Sequence, residues 1–166
     1  MAYKNKVFIS VDADNDLRYY FLMRAWKQSD HSTFDFHDAR DINNIVSDSE
    51  IPIKAALQKR FRSTKCFVLL VGVSTRYLYK YVRWEIEQAI KRKLPIIVVN
   101  INGIRTKDEL KCPPILRDHL SMHVSYNSKI LEYALEHWPK IHAEKLKKAD
   151  KESYCYEAEI YSELGI

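Results

Sequence analysis

The sequence predicts an α/β fold, a flavodoxin-like three-layer sandwich around a five-stranded parallel sheet in the order 2-1-3-4-5. Three observations carry this. Strand-like runs start near positions 6, 33, 66, 95 and 121, each about one βα unit after the last. The third and fourth, "CFVLLVGV" (66–73) and "PIIVVNI" (95–101), are continuously apolar, as strands buried on both faces of a parallel sheet must be. Between the runs, apolar residues recur at helical spacing.

Taken in order, the first strand is "KVFISV" (6–11), followed by a helix over 14–29 in which Leu17, Phe21, Leu22, Ala25 and Trp26 share a face. The second strand, "TFDFHD" (33–38), leads to a helix over 50–62. There Ile53, Ala56, Leu57 and Phe61 line one side, behind the capping signal Ser47-x-x-Glu50. The third strand is followed by the helix "YKYVRWEIEQAI" (79–90). After the fourth strand the Cys112-Pro113-Pro114 segment breaks the chain, with room for a short helix, before a weaker fifth strand, "SMHVSY" (121–126). A long helix from about 128 should kink or end at Pro139. Residues 1–150 read as the domain and 151–166 as a C-terminal tail. In that tail Ile160, Tyr161 and Leu164 fall at helical spacing, so a short helix there can dock on the domain or on a neighbour.

The 166 residues suit one domain, and 46% hydrophobic and 12% aromatic content argue for a folded chain. The net charge of +5 permits an anionic partner, but acids and bases interleave, so no nucleic-acid surface is expected. Segment 140–151 is the exception, with five lysines against two acids, and reads as a solvated helix face. No stretch approaches the roughly 20 apolar residues of a membrane span, and the opening "MAYKNKVFISVDADND" lacks the apolar region of a signal peptide. Three cysteines without a CxxC pattern fit a cytoplasmic protein with free thiols.

In such a fold, ligands collect at the C-terminal ends of the strands, near the switch point between the first and third. Those ends are Ser10 and Asp12, His37 and Asp38, Gly72 to Ser74, and Asn100 to Asn102: a polar rim with two carboxylates. Each has a plainer reading. Asp12 can cap the first helix, Ser10 and Ser74 can satisfy strand-end backbone, and Asp38 and Asn102-Gly103 can form local turns.

Familiar chemistries are missing their residues. A dinucleotide-binding turn or a P-loop needs glycines after the first strand, where this chain has "SVDADNDL" and only three glycines overall. A receiver domain needs an aspartate ending the third strand and a lysine ending the fifth. "LLVGVS" and "HVSY" stand there, although Asp12 and Asp14 could bind a cation. His119 and His123 straddle the start of a strand with no cysteine or acid to complete a tetrahedral set, so no metal site is expected. No GxSxG elbow supports a serine nucleophile.

The helix after the third strand holds the strongest candidate. At about 100° per residue, Val82, Ile86, Ala89 and Ile90 form its apolar stripe and Arg83 and Glu87 face water. Glu85 falls on the shoulder between the two, at the core's edge. Trp84 points away from the core, where an intermolecular contact explains an indole better than packing does.

"VFISVDADND", "STKCFVLLVGVSTRYLYKYVRWEIEQAI" and "LPIIVVNING" together resemble a TIR domain. The serine after the third strand, Tyr81 four residues before the glutamate, and the Glu85-Ile86 pair follow the TIR pattern. The Tyr-Val-Arg-Trp-Glu-Ile run and the "NIN" ending the fourth strand are most similar to the TIR-like proteins of the Thoeris antiphage system. The resemblance covers roughly residues 5 to 105. It implies an NAD-consuming enzyme with Glu85 as the catalytic carboxylate, and Ser10, Asp12, Asp38, Ser74, Tyr81 and Asn102 near the substrate. It implies NAD as substrate with no further cofactor, self-association through TIR–TIR contacts, and a nucleotide product that alerts a downstream effector. Two departures stand out: many TIR domains have tryptophan where this chain has Tyr81, and "HDARDINNIVSDSE" lacks the glycine or proline of their mobile loop. The alternative is a non-catalytic TIR-like interaction module or a receiver-like signalling domain.

One carboxylate is enough for that chemistry. Nicotinamide leaves NAD as a neutral base and needs no general acid, unlike the leaving oxygen of a glycoside, which requires a second carboxyl group.

Overall fold

The computed structural model describes residues 5–29, 37–38, 50–78 and 81–166. At its centre lie β3 (Cys66–Val71) and β4 (Ile96–Asn100), every residue of which is buried. Successive side chains leave a strand toward opposite faces, so both faces of this pair demand cover. β1 (Lys6–Ser10), β2 (His37–Asp38), β5 (Ser121–Ser125) and β6 (Ser153–Cys155) complete the sheet. Its order is β2-β1-β3-β4-β5-β6, with all pairings parallel. The predicted 2-1-3-4-5 order holds for the first five strands, and a sixth extends the β5 edge.

The cover comes from α1 (Leu17–Gln28) and α4 (Ser128–Lys147) on one face, and α2 (Glu50–Phe61) and α3 (Tyr81–Lys91) on the other. Ile9, Val68 and Val99 pack with Tyr20 and Met23 of α1 and with Leu131, Leu135 and Trp138 of α4. Their strand neighbours Phe8, Leu69 and Val98 serve the second core, with Leu57 and Phe61 of α2 and Val82, Ile86 and Ala89 of α3.

Three expectations change. α1 is rotated from its expected face: Tyr20 and Met23 are buried, whereas Phe21 and Leu22 are 46% and 47% exposed. Leu17 and Trp26 only flank the core. Tyrosine and phenylalanine bury rings of similar size, so the apolar spacing alone does not fix which side faces in. α4 neither ends nor breaks at Pro139 but runs on to Lys147. The proline deletes one bond to the carbonyl a turn earlier, while Ile130, Leu131, Ala134, Leu135, Trp138 and His142 are buried along the helix and hold it across the gap. Trp84 does not project freely. It is half-buried, its ring 6.3 Å from Phe61 of α2 in an edge-on contact and 5.8 Å from the Lys54 ammonium, because α2 packs along the back of α3.

The tail docks on its own domain. β6 pairs with β5 through Met122 and Tyr154, and α5 (Ala158–Glu163) buries Tyr161 completely, with Ile160 and Leu164 against the first core. The backbone N–H of Ser125 donates to the Tyr161 hydroxyl at 3.2 Å, and the Arg105 guanidinium lies 4.3 Å from its ring. α5 thus sits at the C-terminal end of β5. Among the described residues, no helix is long and apolar enough to cross a membrane. Ser47 lies outside the described residues, so its capping signal is not seen.

Two buried histidines make the fold acid-sensitive. Burial lowers His123 and His142 from 6.5 to about 4, helped by Lys107 at the first and by His119 at the second. Neutral in the fold, both take up protons on unfolding once the pH drops below 6.5. Their contribution is therefore complete above pH 6.5 and lost as the pH falls toward 4. Urea midpoints measured from pH 7 to pH 4 should fall steadily, with His123 accounting for about 3 kcal/mol by the end. His123→Gln should flatten that slope; a slope identical to that of the parent would show that His123 does not drive it.

Candidate active site

The site begins where β3 runs out of sheet. Gly72 turns the chain, its N–H donating to Thr75 Oγ1 at 2.9 Å, and residues Thr75–Tyr77 form a single 3-10 turn. α3 then runs back along the sheet with Val82, Ile86 and Ala89 facing in. Arg83 and Glu87, the outward pair, join at 3.1 Å in solvent. Glu85 stands one residue before Ile86, and the close approach of β1 closes over it.

Glu85 is therefore not at the edge of the core but wholly buried, with 0% of it exposed. Its Oε2 accepts a short hydrogen bond from Ser10 Oγ, the last residue of β1. Ser10 is itself 0% exposed. Two residues 75 positions apart are thus joined where the first and third strands diverge, the place from which this fold class presents ligands.

The other rim residues divide by what holds them. Asp12 is buried, but its carboxylate is occupied: Oδ1 accepts from the N–H groups of Asp14 (3.0 Å) and Asn15 (3.2 Å), and Oδ2 from Asn15 Nδ2 (2.8 Å). It shapes the turn that feeds α1. Asn102 is built into its own loop, donating from Nδ2 to Asp108 Oδ2 at 3.0 Å and accepting the Ile104 N–H at 3.2 Å. Burial favours protonation of Asp108, but Asn102 and the N–H groups of Lys111 and Leu110 hold it below the ordinary carboxylate value. Ser74 and Tyr81 are half-buried on either side of the 3-10 turn, Tyr81 opening α3. Asp38 is not level with Ser10: it pairs with Val7, whereas Ser10 lies three residues further along β1. At about 3.3 Å per residue that is roughly 10 Å short of the rim.

Sequence reasoning passed over Asp16. It precedes the first residue of α1, yet its side chain makes no capping bond. Instead the carboxyl lies against Gly72: a methyl group placed on that glycine would fall 2.1 Å from Asp16 Oδ2. Asp16 is 8% exposed, and Oδ2 has no hydrogen-bond partner among the described residues. Burial raises its pKa, and the charge of Asp12 raises it further. The available signal was Gly72 itself, a rare glycine placed where a strand ends.

His123 Nε2 shares a hydrogen bond with Ser121 Oγ at 3.0 Å inside the fold. Among the described residues, no group of three or more His, Cys, Asp or Glu could hold a metal ion. A pocket beside α3, lined by Thr75, Arg76, Val82 and Pro113, has a volume of about 30 Å³, room for a water and not for a nucleotide.

A family model described as the TIR-like domain of Thoeris protein ThsB matches residues 8–106. Among solved structures, a conserved protein from Enterococcus faecalis V583 is similar over 98% of each chain, at 17% identity and a TM-score of 0.45. Comparison with curated proteins gives no match.

The Ser10–Glu85 pair predicts an asymmetry in stability. Ser10→Ala removes a hydroxyl donor from a buried carboxylate and should cost about 1–3 kcal/mol in urea denaturation. Glu85→Gln keeps an acceptor for Ser10 and should cost less. Equal losses, or a larger loss in the glutamine variant, would mean that the hydroxyl is not what steadies this carboxylate.

Proposed function

Because the chain belongs to the TIR-like domain family of the Thoeris protein ThsB, matched over residues 8–106, we propose that it is an NAD-cleaving enzyme of antiviral defence. The reading rests on one observation. Glu85, set at the ends of β1 and β3, is held inside the protein by Ser10 instead of standing on the surface as helix glutamates do.

In this reading the bond between nicotinamide and the ribose C1′ breaks, and its electron pair leaves with the pyridine nitrogen. That cancels the ring's positive charge and moves positive charge onto the ribosyl centre. Glu85 stabilises that charge, all the more strongly because little water surrounds it. Its oxygens also accept hydrogen bonds from the ribose hydroxyls. Water then attacks C1′ and loses a proton to give ADP-ribose, or a hydroxyl or ring nitrogen of the same molecule attacks to give a cyclic product. Ser10 positions the carboxylate, and Asp12, Ser74, Tyr81 and Asn102 shape the rim that receives the nucleotide. NAD is the substrate and no other cofactor is needed. The product signals to a separate effector in the cytoplasm, and copies of the chain associate to complete the site.

A second reading, a docking module without catalysis, is favoured by the burial of Glu85. A carboxylate with 0% of its surface exposed must be uncovered before it can meet a ribose. Released nicotinamide, measured by chromatography after incubation of concentrated protein with NAD, separates the two. The enzyme reading expects release that falls at least about 100-fold in Glu85→Gln. Release undiminished in that variant would remove Glu85 from the mechanism. Protection against phage that survives Glu85→Gln would favour docking.

A further inference from the structure

Outside the Ser10–Glu85 pair, Asp16 carries a buried carboxyl oxygen with no hydrogen-bond partner among the described residues. An aspartate at this position ordinarily accepts N–H groups from the first turn of its helix, and this one accepts none. Its oxygen Oδ2 is enclosed by protein and has no partner among the described residues, an arrangement that costs stability unless something is gained elsewhere. Gly72 makes the arrangement possible. Its backbone is not in the left-handed region that favours glycine, so the glycine is there for space. The three atoms nearest to an added methyl group, at 2.1, 2.7 and 2.8 Å, all belong to the Asp16 carboxyl.

The location supplies the gain. Asp16 stands above the end of β1, its backbone N–H bonded to the Asp12 carbonyl at 2.8 Å. Gly72 follows the end of β3 directly. The carboxyl therefore lies beside the ends of both strands, and Glu85 is held at the end of the first of them by Ser10. We propose that Asp16 is a substrate-contacting residue, its Oδ2 hydrogen-bonding a ribose hydroxyl of a nucleotide seated over the ends of β1 and β3. A hydroxyl both donates and accepts, so it satisfies this oxygen whether the carboxyl is charged or neutral. Burial, and then the charge of Asp12, raises the pKa of Asp16. This inference deepens the proposed function and rests on a nucleotide occupying that crevice.

Two readouts test it, because a residue kept for structure and one kept for substrate move them in opposite directions. The thermal midpoint of the free protein and the affinity for NAD are measured for Asp16→Ala, Gly72→Ala and the double variant, all carrying Glu85→Gln so that NAD is not consumed. Asp16→Ala should leave the midpoint unchanged or raise it, and weaken NAD binding roughly tenfold, the worth of one hydrogen bond. Gly72→Ala should weaken binding similarly by displacing the carboxyl, and should add little once Asp16 is already alanine. A lower midpoint with unchanged affinity would make Asp16 a structural residue and overturn the inference. Nicotinamide release by the parent with a KM that Asp16→Ala does not alter would overturn it too, while leaving the proposed function standing. NAD binding that depends on Asp16 in a protein that releases no nicotinamide would keep the inference and sink the activity. Failure of NAD to bind the parent at all would overturn both.

Discussion

A carboxylate taken out of water must be given something in return, and much of this molecule is arranged around how Glu85 is repaid. Its position follows from packing: α3 must turn Val82, Ile86 and Ala89 toward the sheet, and the residue before Ile86 is carried inward with them. What it meets is the end of β1, where the chain places serine instead of another aliphatic residue. One hydroxyl at that point reconciles an apolar core with an ionisable group. The same bond ties α3 to β1, elements separated by two further strands and two helices in the chain.

The rest of the rim shows that strand-end polar residues serve two masters. Asp12 spends its oxygens on the turn into α1. Asn100 Nδ2 donates to the carbonyls of Ile104 and Thr106 at 2.9 and 2.7 Å, tying down the loop after β4. Asn102 and Asp108 brace the same loop from within. Such residues make the crevice a fixed shape. Asp16 departs from that pattern, with an oxygen that has no hydrogen-bond partner among the described residues.

The central strands were legible because a strand buried on both faces must be apolar throughout, and "CFVLLV" and "IIVVN" have no other reading at that length. α3 was legible for a related reason, since its stripe is narrow and its charged residues fall opposite. α1 was not: it has apolar residues nearly all round, and whether Tyr20 or Phe21 turns inward depends on what the sheet presents. β6 was not either, because three residues, two half-buried and the third exposed, carry no periodicity. Glu85 and Ser10 could each be named from sequence as rim residues, but their pairing could not. Contact between positions 75 apart is a property of the packed layers. Trp84 was misjudged for want of α2, whose Phe61 fills the space behind it.

β6 also matters for what the sheet does not do. A parallel sheet that stopped at β5 would offer a buried, five-residue strand with its whole outer row of N–H and C=O groups open. β6 covers Ser121 to His123 and is itself only three residues long, two of them half-buried and the third exposed. An edge that short presents too few backbone groups to recruit a foreign strand. Any contact along that side has side chains to work with instead of a long open strand, which keeps it from the strand addition that leads to fibres.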